Sequence, residues 1–257
     1  MNLCTIIPAY NEEKRIGATL EKYGEFFDKK TSKDFKYEIL IVINNTRDNT
    51  EEVVKEYQKK FKFIKYIRLT RGGKGFAITE GFKKALKCQY DFIGFVDADM
   101  ATKPKEYYRL FTEIKKYDGI IASRWKSGAR HNYSTKRKVF SKGFNFIIKS
   151  LLFLPHQDTQ CGAKIFRNKA IDEIINSISM TAWAFDVNIL YLLKKKGFKI
   201  KEMATIWEDK EGSKIDIIRD TLKMFSAVFR LRLINSPLRF IVRAYDKLPD
   251  KIKVSRI

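Results

Sequence analysis

Five apolar runs, over residues 3–7, 37–43, 63–69, 91–96 and 118–123, are short, rich in β-branched and aromatic side chains, and nearly continuous rather than alternating. Strands covered by helices on both faces need no polar positions, so this pattern predicts a buried parallel sheet. Helical patterning fills the gaps over residues 12–27, 48–60, 74–87 and 104–117. Asp48 with Glu51 and Glu52 suits a helix start, and Pro104 sits where a first-turn proline belongs. Strand and helix alternating in this way define an α/β class, one half of a doubly wound sheet.

The second half is less regular. A helix is expected over 136–152 and is broken by Pro155; a polar loop follows at 156–162, and residues 163–167 could add an edge strand. Helical patterning returns at 185–196, a short strand at 198–204, and a long amphipathic helix at 214–233. The economical division is an α/β unit over 1–213 and a basic, amphipathic extension over 214–257.

Composition sharpens this picture. The chain has 257 residues, 44% of them apolar and 14% aromatic, which is ample for a core and argues against a disordered basic tail. No stretch approaches the roughly 20 apolar residues that span a bilayer. Three scattered cysteines, Cys4, Cys88 and Cys161, match neither a disulfide framework nor a zinc pattern, and fit a reducing cytoplasm. The formal charge is +22, and it is segregated: residues 119–157 carry eight Lys or Arg and no acid, and residues 221–257 carry nine against two. Solvated faces are one reading; an anionic partner such as nucleic acid, a phosphate substrate or an anionic membrane surface is the other.

Ligands of an open parallel sheet bind at the carboxyl ends of its strands. There the chain reads Pro8-Ala9-Tyr10-Asn11-Glu12, Asn44-Asn45-Thr46-Arg47-Asp48, Arg71-Gly72-Gly73-Lys74-Gly75 and Asp97-Ala98-Asp99. Asp97 and Asp99 leave a strand together, so they form either a solvated turn or a hard-oxygen pair for Mg²⁺ or Mn²⁺ with diphosphate oxygens completing the shell. The glycine-rich loop offers backbone N–H groups, a helix N-terminus and Lys74, which suit phosphate, though it could be a plain turn. Its spacing is neither that of a P-loop nor that of a dinucleotide fingerprint.

PAYNE, the polar loop after the second strand, the GKG loop and DAD, in that order, resemble the nucleotide-sugar half of the family 2 glycosyltransferases, which have a GT-A fold. DTQCGAKIF from Asp158, WAFDVNILY from Trp183 and EGSK from Glu211 resemble the dolichyl-phosphate β-glucosyltransferase branch. The resemblance implies that Pro8, Tyr10, Glu12 and Asn45 serve the nucleoside, that Lys74 approaches base or phosphates, and that Asp97 and Asp99 hold metal and sugar nucleotide. It places Asp158, Gln160 and Asp186 around the transferred sugar and acceptor, and Arg124, Arg137 and Lys214 at the acceptor phosphate. The implied reaction is inverting transfer of a hexose, glucose from UDP-glucose in the first instance, to a polyprenyl or dolichyl phosphate. The protein would be cytoplasmic and peripheral on the inner membrane face.

Three features depart from the family pattern. Asn44-Asn45-Thr46 replaces a DDGS-type loop and is shorter, position 101 is Ala where a further polar metal-site residue can occur, and the anchor of the eukaryotic enzymes is not seen. GDP-mannose remains an alternative donor. A non-enzymatic nucleic-acid-binding module is the rival from another class, but no recognisable motif supports it, and nucleic acid is not expected as a partner. Asp186 could instead cap a helix, Cys161 reads as a small buried neighbour of the site, and the 214–233 helix, with Phe225 and Phe229 at helical spacing, could face either a membrane or the core.

Overall fold

The computed structural model describes residues 1–133, 135–179, 184–208 and 217–246. Four strand–helix units open the chain: β1 (Asn2–Ala9) and α1 (Ile16–Asp28), β2 (Lys36–Asn44) and α2 (Thr50–Lys60), β3 (Ile64–Leu69) and α3 (Lys74–Lys87), and β4 (Phe92–Phe95) and α4 (Pro104–Thr112). They are followed by β5 (Gly119–Ser123), β6 (Arg130–His131), α5 (Thr135–Leu152), β7 (Lys164–Arg167), α6 (Asn168–Asp172) and α7 (Phe185–Lys195). The described chain ends with β8 (Ile200–Ala204), β9 (Ile206–Trp207), α8 (Ile217–Ile234) and α9 (Arg239–Asp246).

The main sheet has the order β3-β2-β1-β4-β7-β5-β8, and β6 pairs with β9 beside it. Period-two geometry explains the continuous apolar runs. In β2, Leu40 and Val42 enter the core under α3, α5, α7 and α8, while Ile39, Ile41 and Ile43 enter the one under α1 and α4. Both faces are covered, so apolar residues fill both sets of positions along the middle of the strand.

The 163–167 segment is no edge strand. β7 lies in the middle of the sheet, antiparallel to both β4 and β5. Its burial rests on close backbone approach: a Cβ at Gly94 would lie 2.6 Å from the Lys164 carbonyl oxygen, and one at Gly119 would lie 2.5 Å from the Phe166 ring. The first helix starts at Ile16 rather than Glu12, because Asn11 takes φ 52° and the Glu12 carbonyl closes a turn on the N–H groups of Arg15 and Ile16.

α8 answers the choice between core and surface with both. Ala227, Val228 and Leu231 are buried in the core, while Phe225 and Phe229 stack on the outside, 41% and 46% exposed, with centroids 6.4 Å apart. The side chains of Ile218 and Leu222, expected on the same stripe, lie outside the described residues. No helix among the described residues is long and apolar enough to cross a membrane.

Candidate active site

The loops after β1 and β2 are laced into one rim. Thr46 Oγ1 accepts the Asn11 N–H at 3.3 Å, Asn11 Oδ1 accepts the Arg47 N–H at 2.9 Å, and Thr50 Oγ1 accepts the Glu12 N–H at 2.8 Å. Tyr10 stands on this rim, 53% exposed, and Pro8 is half-buried behind it. Asn45 is exposed at φ 51° and neighbours Gly72. Asn44, next to it, is buried, and its Oδ1 has no hydrogen-bond partner among the described residues.

Asp97 and Asp99 follow β4 and are anchored from behind. Thr19 Oγ1 donates to the Ala98 carbonyl at 2.6 Å, and the Ala101 N–H donates to Asp99 Oδ1 at 2.9 Å. Lys74, the first residue of α3, forms an ion pair with Asp97. Burial alone would lower its ammonium, but Asp97, Asp186 and Asp99 together hold it above its ordinary value. Burial and the neighbouring Asp97 charge raise the Asp99 carboxyl. Burial raises Glu12 as well, helped by Asp99 and Asp97, against the two-pronged grip of Arg15 at 2.8 and 2.9 Å. Three carboxylates thus share one crevice with a surplus of negative charge that a cation would relieve.

No ready-made group of three or more His, Cys, Asp or Glu side chains suited to a metal exists among the described residues. Two carboxylates with hard oxygens nevertheless fit Mg²⁺ or Mn²⁺ when substrate oxygens complete the shell. The floor beneath them is Gly162, where a Cβ would overlap the Asp97 carboxylate.

On the far side of the crevice, Asp158 and Arg124, expected at separate tasks, hold each other. Arg124 Nε and Nη2 donate to Asp158 at 2.7 and 2.8 Å, its backbone N–H adds a third bond at 2.9 Å, and its Nη1 donates to Tyr133 Oη at 2.5 Å. The Asp158 side chain is fully buried and that of Arg124 is 11% exposed. Burial by itself would raise the Asp158 carboxyl, but Arg124 overrides it and holds the group below its ordinary value. Glu202 accepts the N–H groups of Gln157 and Asp158, so the loop is fixed from β8 as well. The Gln160 N–H donates to Asp158 at 3.2 Å, and its side chain reaches Met224 of α8 at 4.0 Å. Cys161 is buried and pushed up to about 12 by burial and then by Asp158, the state of an inert thiol.

Asp186 lies in the first turn of α7, and the cap position, Ala184, makes no side-chain bond. Its partner is Lys164, whose Nζ donates to Asp186 Oδ1 at 2.5 Å. The sequence reading did not single out Lys164, Gly162 or Glu202; a lysine inside an apolar strand was the available signal for the first. The Arg137 side chain and Lys214 lie outside the described residues, as does Trp183.

A mostly parallel sheet whose carboxyl edge gathers a carboxylate pair, a lysine and a glycine-rich helix start is a GT-A-type fold with its candidate site at that edge. The family model described as glycosyl transferase family 2 matches residues 4–175. Dolichyl-phosphate beta-glucosyltransferase of Dictyostelium discoideum is 32% identical over 90% of this chain and 73% of its own, and that of Drosophila melanogaster is 31% identical over 90% and 74%. Among solved structures, glucosyl-3-phosphoglycerate synthase of Mycobacterium tuberculosis with Mn²⁺, UDP and glucosyl-3-phosphoglycerate superposes with a TM-score of 0.66 at 12% identity, covering 90% of this chain and 79% of that one. The chain belongs to glycosyl transferase family 2 and is a glycosyltransferase.

Proposed function

We propose that this enzyme transfers glucose from UDP-glucose to a dolichyl-type polyprenyl phosphate, with inversion, at the cytoplasmic face of a membrane. The observation that carries the reading is that the loop flooring the crevice is bonded to the two helices that expose apolar side chains. The 156–162 loop, whose Gly162 underlies Asp97, is clasped by α5 through Asn145 Oδ1, which accepts the Thr159 N–H at 3.3 Å, and by α8 through Met224. Those helices also carry exposed Phe140, Phe146, Phe225 and Phe229, and Phe153 follows α5. Lys138, Lys142 and Lys149 lie on α5, which has no acidic residue. An apolar surface edged by cations suits an anionic lipid headgroup layer, and it delivers a lipid-linked phosphate to the crevice. The relatives named above support the acceptor class.

In this reading residues 1–213 form the catalytic domain and 214–257 an extension that contacts the membrane. A phosphate oxygen of the acceptor attacks the anomeric carbon in line, and the bond to the diphosphate breaks with its electron pair leaving on UDP. A divalent ion held by Asp97 and Asp99 supplies charge neutralisation of that leaving group when bound. Lys74, paired with Asp97, adds a second cation beside it. Pro8, Tyr10, Glu12 and Asn45 bound the nucleoside, and the exposed Asn45 amide offers an acceptor for a base N–H. Arg137 and Lys214 serve the acceptor phosphate. Arg124 and Asp158 hold the loop bearing Gln160. The phosphate acceptor is already anionic near neutral pH, so no strong general base is required.

The test is a donor panel of UDP-glucose and GDP-mannose with polyprenyl phosphate and Mn²⁺ or Mg²⁺, reading radiolabel in extracted lipid. UDP-glucose should label the phosphate acceptor. Labelling from GDP-mannose alone overturns the donor, and equal labelling of free polyprenol overturns the acceptor.

A further inference from the structure

We propose that Lys164 is a positioning residue that fixes Asp186 as a hydrogen-bond acceptor for a hydroxyl of the donor's hexose ring. Lys164 sits on the antiparallel strand β7, and its side chain is fully buried. Its Nζ donates to the Cys161 carbonyl at 2.6 Å and to Asp186 Oδ1 at 2.5 Å, and lies 5.3 Å from the Phe95 ring centroid. A buried ammonium is expensive to desolvate unless a carboxylate and further acceptors meet it, and these partners do so. The arrangement ties a strand in the middle of the sheet to the first turn of α7.

The pair borders the crevice. Asp186 is 14% exposed and acts electrostatically on Lys74, the lysine bonded to Asp97. The register across the gap is fixed by backbone proximity, because a Cβ at Gly75 would lie 2.6 Å from Phe185 Cβ. Lys74 and Asp186 each adjoin one member of that packed pair. A carboxylate can accept about four hydrogen bonds, so Asp186 keeps acceptor capacity after binding Lys164. Such a group, held rigidly from below, suits a neutral polyol better than a phosphate, which it would repel. The hexose portion of a nucleotide sugar is the neutral, hydroxyl-rich part of the proposed donor, and the inference rests on that donor reading.

Binding of UDP and of UDP-glucose, each with Mn²⁺, distinguishes this role from a purely structural one. Lys164→Met should weaken UDP-glucose about tenfold to a hundredfold, as expected for a misplaced hydrogen bond to a charged group, while UDP binding stays within about twofold. The double variant Lys164→Met with Asp186→Asn removes both charges; it should recover thermal stability relative to Lys164→Met yet bind UDP-glucose as weakly. If the single variant does not fold, the double variant decides. Parallel loss of UDP and UDP-glucose, unchanged UDP-glucose affinity, or a double variant that recovers both stability and affinity overturns the inference alone. A wild-type protein that binds neither ligand overturns the donor reading, and the inference falls with it.

Discussion

Replacing Asp158 by Asn should be among the most destabilising single changes in this protein, even though the two side chains have nearly the same shape. The carboxylate is fully buried and takes two side-chain bonds from Arg124, at 2.7 and 2.8 Å, together with the Arg124 and Gln160 N–H groups. The amide leaves the guanidinium uncompensated where little solvent reaches it, a loss of about 3–5 kcal/mol for a broken buried pair. A chain of this size has an unfolding entropy of roughly 0.5 kcal/mol per kelvin, so Tm should fall by about 6–10 °C. The sign with pH follows from the lowered Asp158 carboxyl. A group depressed in the fold contributes fully above its unfolded value of about 3.9, and the contribution disappears as pH falls through the lower folded value. The Tm gap between wild type and Asp158→Asn should therefore stay constant from pH 8 to about 5 and close only in stronger acid. Calorimetry across that range, with Arg124→Met and the double variant completing the cycle, gives the coupling. A gap under about 1 kcal/mol, typical of exposed pairs, or strictly additive losses would refute the argument.

Asp99→Asn should lower turnover by about a hundredfold or more, yet leave the metal-free protein as stable as wild type or more so. Asp99 is raised in the fold, so its ionised form opposes folding at neutral pH; acidification from neutral pH should stabilise wild type more than the variant, in which the raised Glu12 still responds, by scanning calorimetry, and equal responses would count against it. Gly162→Ala should abolish Mn²⁺-dependent nucleotide binding in titration calorimetry while the fold persists, because the new Cβ displaces the Asp97 carboxylate, which is 32% exposed and turns outward at the cost only of a partly exposed ion pair with Lys74. Phe225→Ser with Phe229→Ser should cut liposome co-sedimentation about tenfold without changing Tm, since Ala227, Val228 and Leu231 still hold the helix. Binding in the unmutated protein should rise with anionic lipid and fall with salt, and indifference to both would remove the membrane role.

Much of the architecture was legible in the chain because it is local. Strands sandwiched between two layers bury apolar residues on both faces, so the parallel half showed as nearly continuous runs, and the loops after them marked the crevice with Asp97, Asp99 and Lys74. Periodicity reports what each segment needs and is silent on which segment meets which. Residues 163–167 therefore read as a sheet edge, while in the fold they run backwards between β4 and β5, a placement set by close approach at Gly94 and Gly119. The same limit hid the electrostatic partners. Arg124 and Asp158 are 34 residues apart, and Lys164 and Asp186 are 22 apart. A charge in isolation looks available for substrate; only packing reveals that the interior, which strongly disfavours an unpaired ion, has already matched it with another side chain.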